Sequence, residues 1–281
     1  MTRQEPVAPN PVAAFFDVDN TIIRGASAFH IARGLKQRGY FHNRDLIRFG
    51  WEQLKYVVFG ESQEQMTSVR SEALSIIKGW SVAEMAVIGE EVYDEILAMR
   101  IFPGTKALID EHRAQGHEVW FVTASPVEIA RLIARRLNAT GALGTIAEHR
   151  DGLYTGRLVG DMMHGEAKAV AVRQLAARKQ LDLPRCFAYG DSMNDAPMLS
   201  VVGHSCAINP DTRLRRHAKR NGWPIHDFRG RNPQGRRSIV RSSLTGFVWI
   251  MMKVLRGIGH TLLAPLRARK RRRQSPRPDA S

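Results

Sequence analysis

Cysteine is almost absent from this chain: Cys186 and Cys206 are the only two in 281 residues. That excludes a disulfide framework and suits a reducing, cytoplasmic setting. Long apolar runs are lacking near the C-terminus as well. Ser242 to Met252 is a stretch of 11 uncharged residues that ends at Lys253, short of the roughly 20 that a membrane-spanning helix needs. Residues 1–11, MTRQEPVAPNP, have no apolar core of the kind a signal peptide carries and read as a disordered lead.

Acidic residues are scarce in one region only. The formal net charge is +15, yet Asp211 to Ser281 hold 19 Lys and Arg against 3 Asp and Glu, while the first 210 residues hold 23 against 24. The body is therefore close to neutral and the basicity belongs to the tail. A basic tail on a neutral body points to an anionic partner, a membrane surface or nucleic acid, and says little about what the body binds.

Hydrophobic residues make up 43% of the chain, enough for a sizeable core. Val12 to Phe16 (VAAFF), His117 to Thr123 (HEVWFVT) and Arg185 to Tyr189 (RCFAY) are short apolar runs that read as buried parallel strands. Ser205 to Ile208 and Trp223 to His226 are weaker strand candidates. Residues 142–159 read as short strands with Asp151-Gly152 as a hairpin turn. Helical spacing marks 26–38, 43–59, 62–78 and 81–99, then 105–115, a helix from Pro126 to about Asn138 with the proline in its first turn, and 165–180. Strands that alternate with helices predict an α/β fold, a parallel Rossmann-like sheet with helices on both faces. The domain reading is a core of 12–23 and 102–230, a helical cap inserted over 24–101, and a basic tail over 231–281.

In such sheets ligands bind at the carboxyl ends of the strands. Three strands end on residues with chemistry to offer: Asp17 and Asp19, Thr123, and Asp191. Carboxylates gathered in one small space repel each other and some would stay protonated. A hard cation such as Mg2+ relieves that, since it takes carboxylate oxygens, waters and phosphate. Lys168, Thr123 and helix N-terminal N–H groups would serve a phosphate dianion.

These stretches resemble the four motifs of the haloacid dehalogenase (HAD) superfamily in order and spacing: DVDNT at 17–21, FVTASP at 121–126, Lys168 in HGEAKAVAV, and YGDSMNDAPML at 189–199. The helical insert after the first motif resembles the phosphoserine phosphatase-like branch, and FFDVDNTIIRGAS is most similar to its HAD-IB hydrolases. The resemblance implies an Mg2+-dependent phosphatase that works through an aspartyl-phosphate. Asp17 would be the nucleophile and Asp19 the general acid and base. Thr123 and Lys168 would contact the phosphoryl group. The metal would be held by Asp17, the carbonyl of Asp19, and Asp191. Asp195 would support the metal waters or orient Lys168, and Thr21 would fix the loop. Gly190 and Asn194 belong to the last motif and are supporting positions.

The sequence departs from the phosphoserine phosphatase pattern at one point. That family has a glutamate shortly after the first motif, and Ala26 stands nearest to its place here. Serine phosphate is thus a poor fit, and a small-molecule or lipid-derived phosphate is the expectation. Arg24, Ser27 and Ser125 are candidate substrate contacts. His30, His112, His117, His149 and His164 lack metal-ligand spacing and read mostly as surface or loop residues. Cys186 reads as packing.

Wound as a helix, 242–264 places Phe247, Ile250, Val254 and Leu262 on one face and Lys253, Arg256 and His260 on another, and Arg267 to Arg273 follow as a polybasic flank. This pattern suits an interfacial helix on anionic lipid through residues 240–273, peripheral at the inner membrane face. The alternatives are a helix packed on the protein itself or in a dimer. A regulatory protein whose tail binds nucleic acid is the runner-up function. Basic tails without interleaved aromatics bind nucleic acid only non-specifically.

Overall fold

Ala13–Phe16 are four consecutive buried residues, and they form β1 at the centre of a six-stranded sheet. The computed structural model describes residues 11–39 and 77–229, which lie in one compact unit. The lead before residue 11, the helices expected over 43–59 and most of 62–78, and the tail lie outside the described residues.

β1 is flanked by β2 (Glu118–Pro126) and β6 (Phe187–Gly190), both parallel to it. β3 (Gly141–Thr145), β7 (His204–Ile208) and β8 (Ile225–His226) extend the sheet in the order β3-β2-β1-β6-β7-β8, and every pairing is parallel. The chain moves outward from β1 to β3 on one side and from β6 to β8 on the other. The boundary between β1 and β6 is thus a topological switch point, where such sheets open a crevice at their carboxyl edge.

Alternate residues of β1 serve two cores, as the strand period of two requires. Ala14 and Phe16 face one cluster with Phe121 and Tyr189, and the Phe16 and Tyr189 rings stack at 4.3 Å. Ala13 and Phe15 face the other with Val122, Val172 and Met198. Helices α1 (Ser27–Gln37), α2 (Val82–Val92), α3 (Pro103–Ala114) and α4 (Val127–Arg136) contribute to the first cluster. Helices α5 (Glu166–Lys179), α6 (Ala196–Leu199) and α7 (Thr212–Arg220) contribute to the second. Fully burying one such aliphatic or aromatic side chain contributes about 1.5–3 kcal/mol.

The chain leaves and rejoins the sheet through a paired neck. Ile23 bridges Ile101 in antiparallel fashion, the Arg24 amide donates to the Arg100 carbonyl at 2.9 Å, and the Phe102 amide donates to Ile22 at 2.9 Å. The single helix expected over 81–99 is broken. α2 passes into a π-turn at Tyr93–Leu97 and a 3-10 turn at Ala98–Arg100. The wider turn brings Tyr93 and Leu97 inward together with Val92, whereas continued α-spacing would move the apolar stripe on.

Asp151 and Gly152, with φ of 50° and 76°, form the tight turn that joins β4 (Ala147–Arg150) to β5 (Leu153–Leu158). Both residues need positive φ, which is what an Asp-Gly hairpin provides. This hairpin docks on the start of α2, with the Val82 amide bonded to Gly152 and the Gly79 amide to Tyr154.

Two further expectations change. β2 does not end at Thr123 but runs to Pro126, which caps α4 in an extended conformation and is not in the helix. The reason is an irregularity: Val122 pairs with Leu143 but Pro126 with Thr145, so β2 carries extra residues, and the Thr145 hydroxyl donates to the Ala124 carbonyl at 2.7 Å. His30 and His112 are also buried and not surface residues. His112 lies on α3, where its ring nitrogens contact Tyr189 Oη at 2.8 Å and His117 Nδ1 at 2.9 Å. A polar ring tolerates burial there because both nitrogens are satisfied.

Candidate active site

Asp17 directly follows β1, and its amide still pairs with the Tyr189 carbonyl of β6 at 2.9 Å. Its side chain therefore emerges at the switch point. Asp191 directly follows β6 and reaches the same crevice. Asp17, Asp191 and Asp195 each offer an oxygen within 4.8 Å of the others. These three side chains could hold a cation, and the expected Asp19 carbonyl is a backbone ligand that would stand beside that side-chain set.

Lys168 comes from the first turn of α5. Gly165 precedes that helix with φ 57° and ψ −126°, a conformation open to glycine and strained for other residues. The Lys168 ammonium is buried and bonds Asp17 Oδ1 at 2.5 Å and Asp195 Oδ1 at 2.7 Å. The other oxygen of Asp195 accepts from the amides of Asp191 and Ser192 and from the Ser192 hydroxyl, each at 3.2 Å. Asp195 is thus held on both sides, and it in turn aims Lys168. Gly190 lies under it: a Cβ there would stand 2.6 Å from Asp195 Cβ. Asn194 is exposed on the same turn.

Burial lifts the Asp17 carboxyl to about 7, with help from the Asp195 and Asp19 charges and against the pull of Lys168. Burial, then Asp17 and Asp195, lift Asp191 well above the carboxylate range. At Lys168 burial opposes the charge, but the two carboxylates outweigh it and raise the pKa. With contacts of 2.5 and 2.7 Å we assign Lys168 as ammonium, and the surplus negative charge is shared among the acids. Three grouped carboxyls, Asp17, Asp191 and Asp195, with one ammonium bridging two of them, leave that surplus buried. Oxygen donors in this number fit a hard divalent cation, which would remove the repulsion.

Asp19 is raised by burial, while the Ser27 hydroxyl and amide pull it down. Ser27 Oγ donates to Asp19 Oδ1 at 2.6 Å and the Ser27 amide donates to the same oxygen at 2.8 Å. Ser27 Oγ also lies 2.7 Å from Ser125 Oγ. Of these two candidate substrate contacts, Ser27 is therefore engaged with Asp19 and Ser125 with Ser27. Thr123 is buried in β2, where its hydroxyl oxygen accepts the Ser125 amide at 3.1 Å and keeps its own proton to donate. Arg24 is exposed, with its guanidinium 5.2 Å above the Phe102 ring. Thr21 is fully buried: its carbonyl accepts the Thr105 hydroxyl at 2.7 Å, while its own hydroxyl has no hydrogen-bond partner among the described residues.

Sequence reasoning missed Asn209. It follows β7 with φ 48°, donates to the Asn20 carbonyl at 2.9 Å and accepts the Phe228 amide at 2.7 Å. It thereby ties the loop after β1 to the far side of the sheet. The available signal was an Asn-Pro pair just past a strand, a turn-forming dipeptide.

Residues 14–200 match the haloacid dehalogenase-like hydrolase family. Over 228 residues the chain is 53% identical to a Mycobacterium tuberculosis protein named a phosphoserine phosphatase, covering 81% of this chain and 74% of that one. A solved structure from Bordetella pertussis, a protein of unknown function, superposes with a TM-score of 0.68 at 28% identity, covering 78% of this chain and 99% of that one. A structure of a phosphoserine phosphatase as a phospho-aspartyl intermediate analogue gives a TM-score of 0.53 at 18% identity, covering 82% and 99%, a likeness of fold.

Proposed function

The chain belongs to the haloacid dehalogenase-like hydrolase family as one of its phosphatases, and on that premise we propose that it hydrolyses a small or lipid-derived phosphomonoester through an aspartyl-phosphate on Asp17. The observation that carries this reading is the buried Lys168 bridge between Asp17 and Asp195 at the switch point of the sheet.

A carboxylate oxygen of Asp17 attacks phosphorus, and the ester bond to the leaving oxygen breaks. Asp19 gives its proton to the leaving alcohol. Its burial, which raises its pKa, favours the protonated form that this step needs. Water then attacks the phosphorus of the aspartyl-phosphate, Asp19 takes a proton from that water, and the bond to Asp17 breaks to release phosphate. Splitting one displacement into two is the benefit of the covalent nucleophile. The Thr123 hydroxyl donates to a phosphoryl oxygen, and Lys168 offsets charge beside Asp17. Mg2+ would be held by Asp17, the Asp19 carbonyl and Asp191 with Asp195 beside them, and when bound it supplies charge neutralisation for the phosphoryl group.

The substrate follows from what position 26 lacks. Ala26 is exposed and carries no charge, so an amino-acid phosphate finds no carboxylate there for its ammonium. The relative named a phosphoserine phosphatase makes phosphoserine the natural comparison. The test is kcat/KM over phosphoserine, glycerol phosphate and a lysophosphatidic acid, with Mg2+ and with EDTA, and Asp17→Asn as blank. Phosphoserine as the best substrate by tenfold or more would overturn the substrate reading, and full activity in EDTA would overturn the metal.

We also propose that the enzyme works in the cytoplasm at an anionic membrane surface, with residues 240–273, read from their sequence, as the docking segment. No helix among the described residues is long and apolar enough to cross a membrane. Flotation with anionic vesicles, with and without residues 240–281, tests this. Equal flotation of both forms rejects it, and RNA binding that survives 0.5 M salt would favour the nucleic-acid reading instead.

A further inference from the structure

Three elements meet at Asp19. Asp19 itself lies in the loop after β1. Ser27 opens α1, the first helix beyond the neck. Ser125 lies in the irregular part of β2, 98 positions further along. Ser27 and Ser125 are both buried, at 0% and 4% exposure, so no bulk water competes for their hydroxyls.

The direction of the hydrogen bonds follows from counting protons. A serine hydroxyl has one proton to give and two lone pairs with which to accept. Ser27 spends its proton on Asp19 Oδ1. The contact between the two serine hydroxyls must then run from Ser125 to Ser27. The chain is therefore polarised, Ser125 to Ser27 to Asp19, and each bond strengthens the next. The Ser27 amide adds a second donor to the same carboxylate oxygen.

Oδ1 of Asp19 is thus held by two donors and is the oxygen that stays unprotonated. The proton that leaves for the alcohol must sit on Oδ2. Turning the carboxyl about its bond would break both contacts with Ser27, so the proton-carrying oxygen is aimed and not merely present.

We propose that Ser27 is a positioning residue for the general acid, seconded by Ser125, and that this pair presents Asp19 Oδ2 to the leaving oxygen. The proposal rests on the reading of Asp19 as the acid. It removes Ser27 and Ser125 from the candidate substrate contacts, because their hydroxyls are committed to one another and to Asp19.

A side chain that aims a general acid matters most when the leaving group needs the proton. An alkoxide is a poor leaving group, whereas para-nitrophenolate departs without help. The ratio of kcat/KM for glycerol phosphate to kcat/KM for para-nitrophenyl phosphate therefore reports the acid and is insensitive to general loss of folded enzyme. This parameter covers the steps up to formation of the aspartyl-phosphate. Ser27→Ala lowers kcat/KM for glycerol phosphate by about 10–100-fold, within the range of general-acid contributions, and for para-nitrophenyl phosphate by less than about threefold. Ser27→Thr, which keeps the hydroxyl, restores most of the ratio.

Asp19→Asn separates the two levels of the argument. If Asp19→Asn leaves the ratio unchanged, Asp19 is not the acid, and this proposal fails with that reading. If Asp19→Asn collapses the ratio but Ser27→Ala lowers both substrates equally, Asp19 stands as the acid and only the positioning role is overturned. Should Ser27→Ala fail to fold by thermal melting, Ser125→Ala removes only the outer hydroxyl. A drop in the ratio of about threefold or more then supports the proposal, and an unchanged ratio overturns it.

Discussion

Lys168 Nζ and Asp17 Oδ1 lie 2.5 Å apart although 151 positions separate the two residues in the chain. Asp17 directly follows the central strand β1, and Lys168 lies in the first turn of α5. Neither group is stable alone in this burial. The pair, with Asp195 as third member, is the structural centre of the site.

Replacing Asp17 by Asn keeps the shape of the side chain and removes its charge. The substitution also relieves repulsion with Asp191 and Asp195. Turnover is expected to fall by at least about 10³-fold, while the melting temperature stays within a few degrees of the parent. Retained turnover in a chromogenic phosphatase assay would remove Asp17 as nucleophile.

Lys168→Met deletes the ammonium that bridges Asp17 and Asp195. Breaking a buried ion pair by removing one partner costs roughly 3–5 kcal/mol, because the other charge is left uncompensated. Chemical denaturation should register a loss of that order together with loss of activity. A variant as stable as the parent would mean that the acids are neutral and that the bridge is not ionic.

Gly190→Ala places a methyl group 2.6 Å from Asp195 Cβ and 2.9 Å from its Cγ. Asp195 must then shift off Lys168 or off the amides of Asp191 and Ser192. The expected result is a loss of about 1–3 kcal/mol, the usual cost of overpacking, and a drop in kcat of tenfold or more. Parent-like kinetics would show that the exact seat of Asp195 is not needed.

His112 offers a prediction in pH. Burial, and then the neighbouring His117, depress its pKa from 6.5 to about 4. Between those values the unfolded chain binds a proton that the folded chain does not, so stability rises with pH through that window and is lost on acidification. His117 is depressed as well, by burial and then by Arg185, and adds in the same sense. His112→Gln keeps polar atoms on the ring's site without titrating near neutrality. From pH 7 to pH 4.5 the parent should lose more stability than the variant, by on the order of 2 kcal/mol. Parallel loss in both, followed by urea titration at each pH, would assign acid sensitivity to other groups.

Much of the fold was legible because local chemistry decided it. Val12 to Phe16 is apolar on both faces and could only be a strand covered on both sides. Asp151-Gly152 names its own turn. Asp17 and Asp191 could be placed at the sheet edge because each directly follows a short apolar run. Other features were not local. His112 is polar and reads as exposed until α3 lays it beside Tyr189 and His117. β2 outruns Thr123 because Thr145, 22 positions later, holds the Ala124 carbonyl.

The sequence by itself determined which residue types stand at the ends of the strands, since hydrophobic period and motif spacing are properties of short segments. Only the tertiary structure decided what those residues touch. Ser27 and Ser125 read as candidate substrate contacts, but the approach of α1 to the bulged end of β2 brings their hydroxyls within 2.7 Å, with Ser27 bonded in turn to Asp19. Hydrogen bonds between residues 98 positions apart depend on how helices and sheet pack, and no pattern within one segment encodes that distance.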